Sequence, residues 1–118
     1  MAITIRPESP GDAGAIEQVT AASFEKALHT NHVEQFIVNA LRRAGRLTVS
    51  LVAEDDGRIV GHVAVSPVSI SSGATGWFGL GPISVSPDCQ RQGIGARLMK
   101  AALAELRRLG AAGCVLLG

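Results

Sequence analysis

The chain contains no tyrosine, one tryptophan and three phenylalanines, so aromatic residues make up 3% of it. That stock argues against a surface that stacks nucleobases on aromatic faces, and no nucleic-acid partner is expected. Cysteine is equally scarce. Cys89 and Cys114 lie far apart and outside any CxxC spacing, which argues against a disulfide framework or a zinc site and for a reducing, cytoplasmic setting. His29 and His32 could share a helix face, but no carboxylate joins them, and no metal is expected. Charge of one sign is also missing: 11 Lys+Arg against 10 Asp+Glu leave a net charge of +1, too little to draw the chain to nucleic acid or a charged bilayer. No apolar run reaches the roughly 18 residues of a membrane span. The opening MAITIRPESPGD has neither the basic nor the apolar region of a secretory signal.

What is present is an apolar fraction of 47% in 118 residues, enough for one core and a single domain spanning 1–118. Ile3 and Ile5 alternate with polar neighbours, predicting a strand near 2–6. Pro10-Gly11-Asp12 breaks it, with Asp12 placed to cap a helix that carries Ile16, Val19 and Ser23 at helical spacing. The segment 24–31 has no clean period. Val33, Phe36, Ile37, Ala40, Leu41 and Ala44 then mark a second helix, capped by Asn31 with Glu34 and ended by Gly45. Strands follow at 47–54 and 58–70, joined by the turn Asp55-Asp56-Gly57, with Pro67 forcing a bend, bulge or edge. Residues 71–79 read as a loop anchored by Trp77 and Phe78. Residues 80–86 read as a strand made irregular by Pro82, 93–109 as a helix ended by Gly110, and 114–117 as a buried strand. The order β-α-α-β-β-β-α-β predicts an α/β (α+β) fold, a mixed and mostly antiparallel sheet flanked by helices, with one parallel crossover at 80–117.

The stretch Gln90-Arg91-Gln92-Gly93-Ile94-Gly95 joins the fourth strand to the third helix. The first N–H groups of a helix have no partner within it, and the helix dipole adds positive potential there. Glycines let an anion come close to such a backbone. Arg91, Arg97, Lys100, Arg107 and Arg108 outweigh Asp88 and Glu105 nearby. A solvated helix face accounts equally for Lys100, Arg107 and Arg108, whereas Arg91 lies beside the loop. The GxxxxGK[ST] pattern is absent. A dinucleotide fingerprint would need a third glycine where Leu98 stands and an acidic residue about twenty positions on, where the chain has nearly ended. On the glycines alone, a tight turn explains the loop as well as a ligand does.

The wider context resembles the acetyl-CoA-binding signature of the GNAT N-acetyltransferases, Q/R-x-x-G-x-G/A after a strand that ends near a proline. Gln90, Gly93 and Gly95 fill its defined positions. ITIRPESPGDAGAI, SLVAEDDGRIVGHVAVSPV and LGPISVSP look like the YhbS-like branch of that superfamily, so the resemblance spans essentially the whole chain. It implies acetyl-CoA as cosubstrate and transfer of the acetyl group to a primary amine by direct attack in a ternary complex. It implies that the backbone of Arg91, Gln92, Gly93, Ile94, Gly95 and Ala96 holds the pyrophosphate, and that main-chain groups of Ile83, Ser84 and Val85 hold the pantetheine arm. Core packing is the other reading for Ile83 and Val85.

Acetyl transfer needs a neutral amine, a donor for the oxyanion and a route for the thiolate to leave. Glu54 at a strand end and His62 on the next strand are the candidates for the base. Each has a plainer alternative, a solvated strand end for Glu54 and a hydrogen-bonded sheet residue for His62. Cys89, near a helix start where a thiol pKa falls, is either a nucleophile or a loop residue. Trp77 and Phe78 anchor a loop or line an acceptor pocket. The resemblance also implies a further loop, helix and two strands, and a tyrosine that protonates the leaving thiolate. The chain ends at Gly118 without them, so the expectation is a C-terminally truncated fold, either a non-catalytic coenzyme A-binding remnant or one completed by self-association, such as a homodimer, through the last strand.

Overall fold

The computed structural model describes residues 2–25 and 33–116. His29, His32, the Asn31 cap and Leu117 lie outside them. The elements follow the expected order: β1 (Ile3–Pro7), α1 (Ala13–Phe24), α2 (Glu34–Arg43), β2 (Val49–Asp55), β3 (Arg58–Pro67), β4 (Trp77–Val85), α3 (Ile94–Arg108) and β5 (Gly113–Leu116). Short 3-10 turns at Pro10–Asp12 and Pro87–Cys89 precede α1 and α3. The strands form one sheet in the order β1-β2-β3-β4-β5, antiparallel except for the parallel β4–β5 pair.

Local chemistry accounts for most of these boundaries. Asp56 and Gly57 both have positive φ, 51° and 86°, the geometry that a tight hairpin between β2 and β3 requires. Helices α2 and α3 close in the same way: Gly45 and Gly110 bond back to Arg42 and Arg107, while Arg46 and Ala111 bond back to Leu41 and Leu106. Asp12 acts differently from the expected helix cap. Its carboxylate accepts from the Ser9 N–H at 2.7 Å and from Arg6 at 2.7 Å, so it fastens the 3-10 turn to β1.

Alternation along the strands divides the core between the faces of the sheet. Leu51, Ala53, Val63 and Val65 pack with Leu98, Ala102 and Leu106 of α3. Val52 and Ala64 pack with Ile16 of α1 and Val38 of α2. β3 stops at Pro67, shorter than the expected 58–70. β4 begins at Trp77, so Trp77 and Phe78, expected in a loop, are strand residues opposite Gly113 and Cys114. The Trp77 ring fills the space beside Gly113, where a Cβ would come within 2.7 Å of it.

β4 is irregular at Pro82, as expected. Val63 pairs with Ile83 but Val65 pairs with Leu80, so β4 has one residue more than β3 between these pairs. Proline has no N–H for the ladder, and the extra residue is accommodated there as a bulge. Among the described residues, β5 accompanies β4 only from Trp77 to Leu80. Past Leu80 the outer edge of β4 has no strand beside it among the described residues, and this open place next to the bulge is termed the fork.

Candidate active site

The fork leaves the outer edge of Ile83–Val85 without a neighbouring strand among the described residues. Which groups face that edge follows from the ladder. The Ser86 N–H donates to Val60 O at 2.8 Å, which fixes the alternation of the antiparallel pair. Ser84, opposite His62, therefore turns its main-chain groups inward to β3, while those of Ile83 and Val85 point outward. Val85 is engaged within the protein: its N–H donates to Ser23 Oγ at 3.1 Å and its C=O accepts from Gln90 Nε2 at 3.0 Å. Of the three residues expected at this edge, Ser84 is thus corrected to a β3 partner, and Ile83 stands nearest to the expected role.

The glycine loop begins where this edge ends. Gln90 ties it to β4 through Val85, and an ion pair secures the turn before it: Arg58 donates to Asp88 at 2.9 and 3.2 Å. Asp88 also accepts from Ser86, and these donors hold its carboxyl well below the usual carboxylate range. Arg91 and Gly93 both adopt left-handed backbone, with φ of 66° and 81°. Arg91 and Gln92 are exposed, as are Gly93 and Ala96, whereas Ile94 is buried as an anchor under the helix start. No side chain caps α3, so its first N–H groups are open to a ligand. Arg97 is occupied elsewhere, donating to Ile3 O at 3.0 Å.

Gly93 and Gly95 are glycine for different reasons. Gly93 needs its positive φ. Gly95 lies within α3, where alanine would favour the helix, and a Cβ there would only touch Val85 Cγ2 at an ordinary 3.7 Å. Neither backbone nor packing asks for the missing side chain. The residue keeps the helix start clear, which fits a bulky anion seated on the amides.

A cavity of about 430 Å³ occupies the fork. Leu80, Pro82 and Ile83 of β4 form one wall and Leu116 of β5 another, with Met99 entering from α3. Phe24 at the end of α1 and Glu34 and Ile37 at the start of α2 are the other described residues that line it. Sequence reasoning missed Phe24, Glu34 and Met99 as site residues. Glu34 was legible only as a cap and Met99 only as helix filling. Ser23 carried a weak signal, a hydroxyl on the apolar stripe of α1.

The two candidate bases lie away from the fork. Glu54 is on β2, two strands from β4, and accepts from Arg6 Nε at 2.9 Å. His62 is fully buried in the middle of the sheet, with Ser50 Oγ 2.7 Å from its Nε2. Burial pushes its pKa down to about 4, against the pull of Glu8, so the ring is neutral at pH 7. Its Nδ1 and the Ser84 hydroxyl are buried without a hydrogen bond. Of the two readings of Cys89, the nucleophile with a lowered pKa is not supported: the thiol is buried, and burial together with Asp88 raises its pKa. No helix of the described residues is long and apolar enough to cross a membrane. None of their His, Cys, Asp and Glu residues gather in groups of three or more that could hold a metal.

Comparison with known proteins places this geometry. Residues 14–117 match the acetyltransferase (GNAT) family. The chain is 37% identical over 115 residues to the uncharacterized N-acetyltransferase YhbS of Escherichia coli strain K12, covering 97% of this chain and 66% of that protein. It therefore spans about two thirds of the length of the curated relatives it matches. A crystal structure of a GNAT family acetyltransferase from Brucella melitensis in complex with acetyl-CoA superposes with a TM-score of 0.95 at 53% identity, over 99% of this chain and 76% of that one. The crystal structure of Escherichia coli YhbS in complex with CoA gives 0.88 at 37% identity, over 98% and 62%.

Proposed function

We propose, from the premise that the chain belongs to the acetyltransferase (GNAT) family, that it binds acetyl-CoA at the glycine loop and the fork and serves acetyl transfer to a primary amine. The observation that carries the reading is Gly95, a helical glycine that the fold does not require, set over the uncapped start of α3. Amides from Arg91 to Ala96 would hold the pyrophosphate, with the Arg91 guanidinium beside them. The outward main-chain groups of Ile83 would take the pantetheine amide as a further strand would. Bound acetyl-CoA supplies an acetyl thioester, whose carbonyl carbon an amine nitrogen attacks as the C–S bond breaks and the thiol is released. The burial and raised pKa of Cys89 support direct attack without a cysteine intermediate.

Calorimetry tests the binding step. Acetyl-CoA and CoA should each bind with one-to-one stoichiometry and NAD should not; equal binding of NAD, or none of CoA, would overturn the reading. One observation favours a non-catalytic coenzyme A-binding role instead, namely that Glu54 and His62 both lie away from the fork. Thiol release with a panel of amines separates the two roles. Self-association through the outer edge of β5 belongs to the same proposal, supported by apolar Val115 and Leu116, 38% and 66% exposed. A sedimentation mass that rises with concentration supports it, and a monomer at all micromolar concentrations excludes it.

A further inference from the structure

We infer that Ser23 of α1 is a binding residue for the pantetheine arm: its hydroxyl donates to an amide carbonyl of bound CoA at the level of Val85. The inference rests on the acetyl-CoA reading of the loop and the β4 edge, and it adds a side chain from another element to that site. Ile16, Val19 and Thr20 are the buried stripe of α1, and Ser23 continues it into the last turn of the helix. Two hydroxyls on this stripe behave differently. Thr20 Oγ1 turns back to Ile16 O at 2.7 Å, within its own helix. Ser23 Oγ reaches across to β4 and accepts from the Val85 N–H at 3.1 Å.

That N–H lies on the outer edge of β4, so an oxygen that accepts from it stands where a neighbouring strand would place a carbonyl. A hydroxyl can accept and donate at once. Ser23 therefore takes the main-chain donor and presents an O–H in its place. Gln90 does the same with the opposite sign. Its Nε2 donates to Val85 O at 3.0 Å, which leaves its side-chain carbonyl as an acceptor. The edge keeps one donor and one acceptor at Val85, moved outward from main chain to side chains. Ile83 adds its own outward N–H and C=O, so the edge offers two donor–acceptor pairs in succession. Each pair suits one amide, and the pantetheine arm carries two in a row. Ser23 is half-buried and Gln90 exposed, so a ligand entering from solvent can reach both.

The test is calorimetry on the full chain with two ligands, CoA and 3′-phospho-ADP, which is CoA without the arm. Ser23→Ala removes the O–H and should weaken CoA about three- to tenfold, the usual size of one neutral hydrogen bond, with 3′-phospho-ADP bound as by the wild type. Ser23→Thr keeps a hydroxyl and should hold CoA more tightly than Ser23→Ala does. Unchanged CoA affinity in Ser23→Ala overturns the inference. Higher affinity overturns it too, and makes Ser23 a competitor of the arm for the Val85 N–H. An equal loss of both ligands also overturns it, because the hydroxyl then acts through the fold of the loop. A wild type that does not bind CoA is a different failure: it overturns the acetyl-CoA reading, and this inference with it.

Discussion

The sheet has two sides that treat polar groups in opposite ways. On the β1–β2 side, charged side chains are used up in holding elements together. Arg6 bridges Asp12 at 2.7 Å and Glu54 at 2.9 Å. Arg42 of α2 reaches Glu8 at 2.8 Å, Glu8 accepts from Ser50, and Ser50 meets His62. Burial alone would raise the Glu8 pKa, but the bonds from Arg42 and Ser50 outweigh it and leave it lowered. On the β4 side the exposed resource is main chain: the outward groups of Ile83 and the uncapped amides of α3. The titratable residues expected to be catalytic have their partners within the protein, and the groups proposed to hold acetyl-CoA lie where β4 has no strand beside it among the described residues.

The most direct way to break the comparison is to put a side chain on the open side. Gly95→Glu should lower CoA affinity by about a hundredfold or more, close to 3 kcal/mol, by filling the approach and repelling phosphate. An acidic residue in the first turn of a helix favours folding, so thermal stability should hold. Undiminished CoA affinity in the folded variant, measured by calorimetry, would remove the loop from the site.

The closed side should show the reverse pattern. His62→Ala should cost about 2–4 kcal/mol in chemical denaturation, through the cavity it leaves and the Ser50 contact it removes, with CoA affinity unchanged. The same residue predicts a pH dependence. Its folded pKa of about 4 lies below the ordinary imidazole value of 6.5, so the unfolded chain binds the extra proton between those values. Stability from this group is therefore complete above pH 6.5 and falls as the pH drops toward 4, by up to about 3 kcal/mol. In His62→Ala that slope should flatten, and an unchanged slope would assign it to other groups.

Smaller effects sharpen the division. Glu54→Gln removes half of a partly exposed ion pair and should cost about 1 kcal/mol or less, with CoA binding and any acetyl transfer intact. A loss of turnover at unchanged stability would return Glu54 to the chemistry. Ser84→Ala deletes a buried hydroxyl without a hydrogen bond and should change stability by less than about 1 kcal/mol in either direction. A larger loss in denaturation would mean that the hydroxyl has a partner in solution.

How much of this could be read beforehand depends on the range of the signal. The Asp56-Gly57 hairpin, the helix stops at Gly45 and Gly110, the irregularity at Pro82 and the glycine loop all showed in the sequence, because each depends on a few adjacent residues and on backbone angles that few residue types tolerate. Strand starts were less legible. Trp77 and Phe78 read as loop because glycines surround them, yet packing against Gly113 and pairing with β5 draw them into β4. Asp12 stands where a helix cap belongs, but Arg6 and the Ser9 N–H bind its carboxylate instead.

The sequence by itself determined the order of elements, the turns, and the loop on which an anion can rest. The tertiary structure alone decided what those residues are free to do. Glu54 is taken by Arg6 from 48 positions away, and His62 is fully buried next to Ser50. Phe24, Glu34, Met99 and Leu116 are scattered along the chain and meet beside the part of β4 that follows Leu80. Propensity and capping act over a few residues, so they leave a local trace. Ion pairing, burial and the walls of a cavity join residues far apart in the chain, and only the closed sheet brings those together.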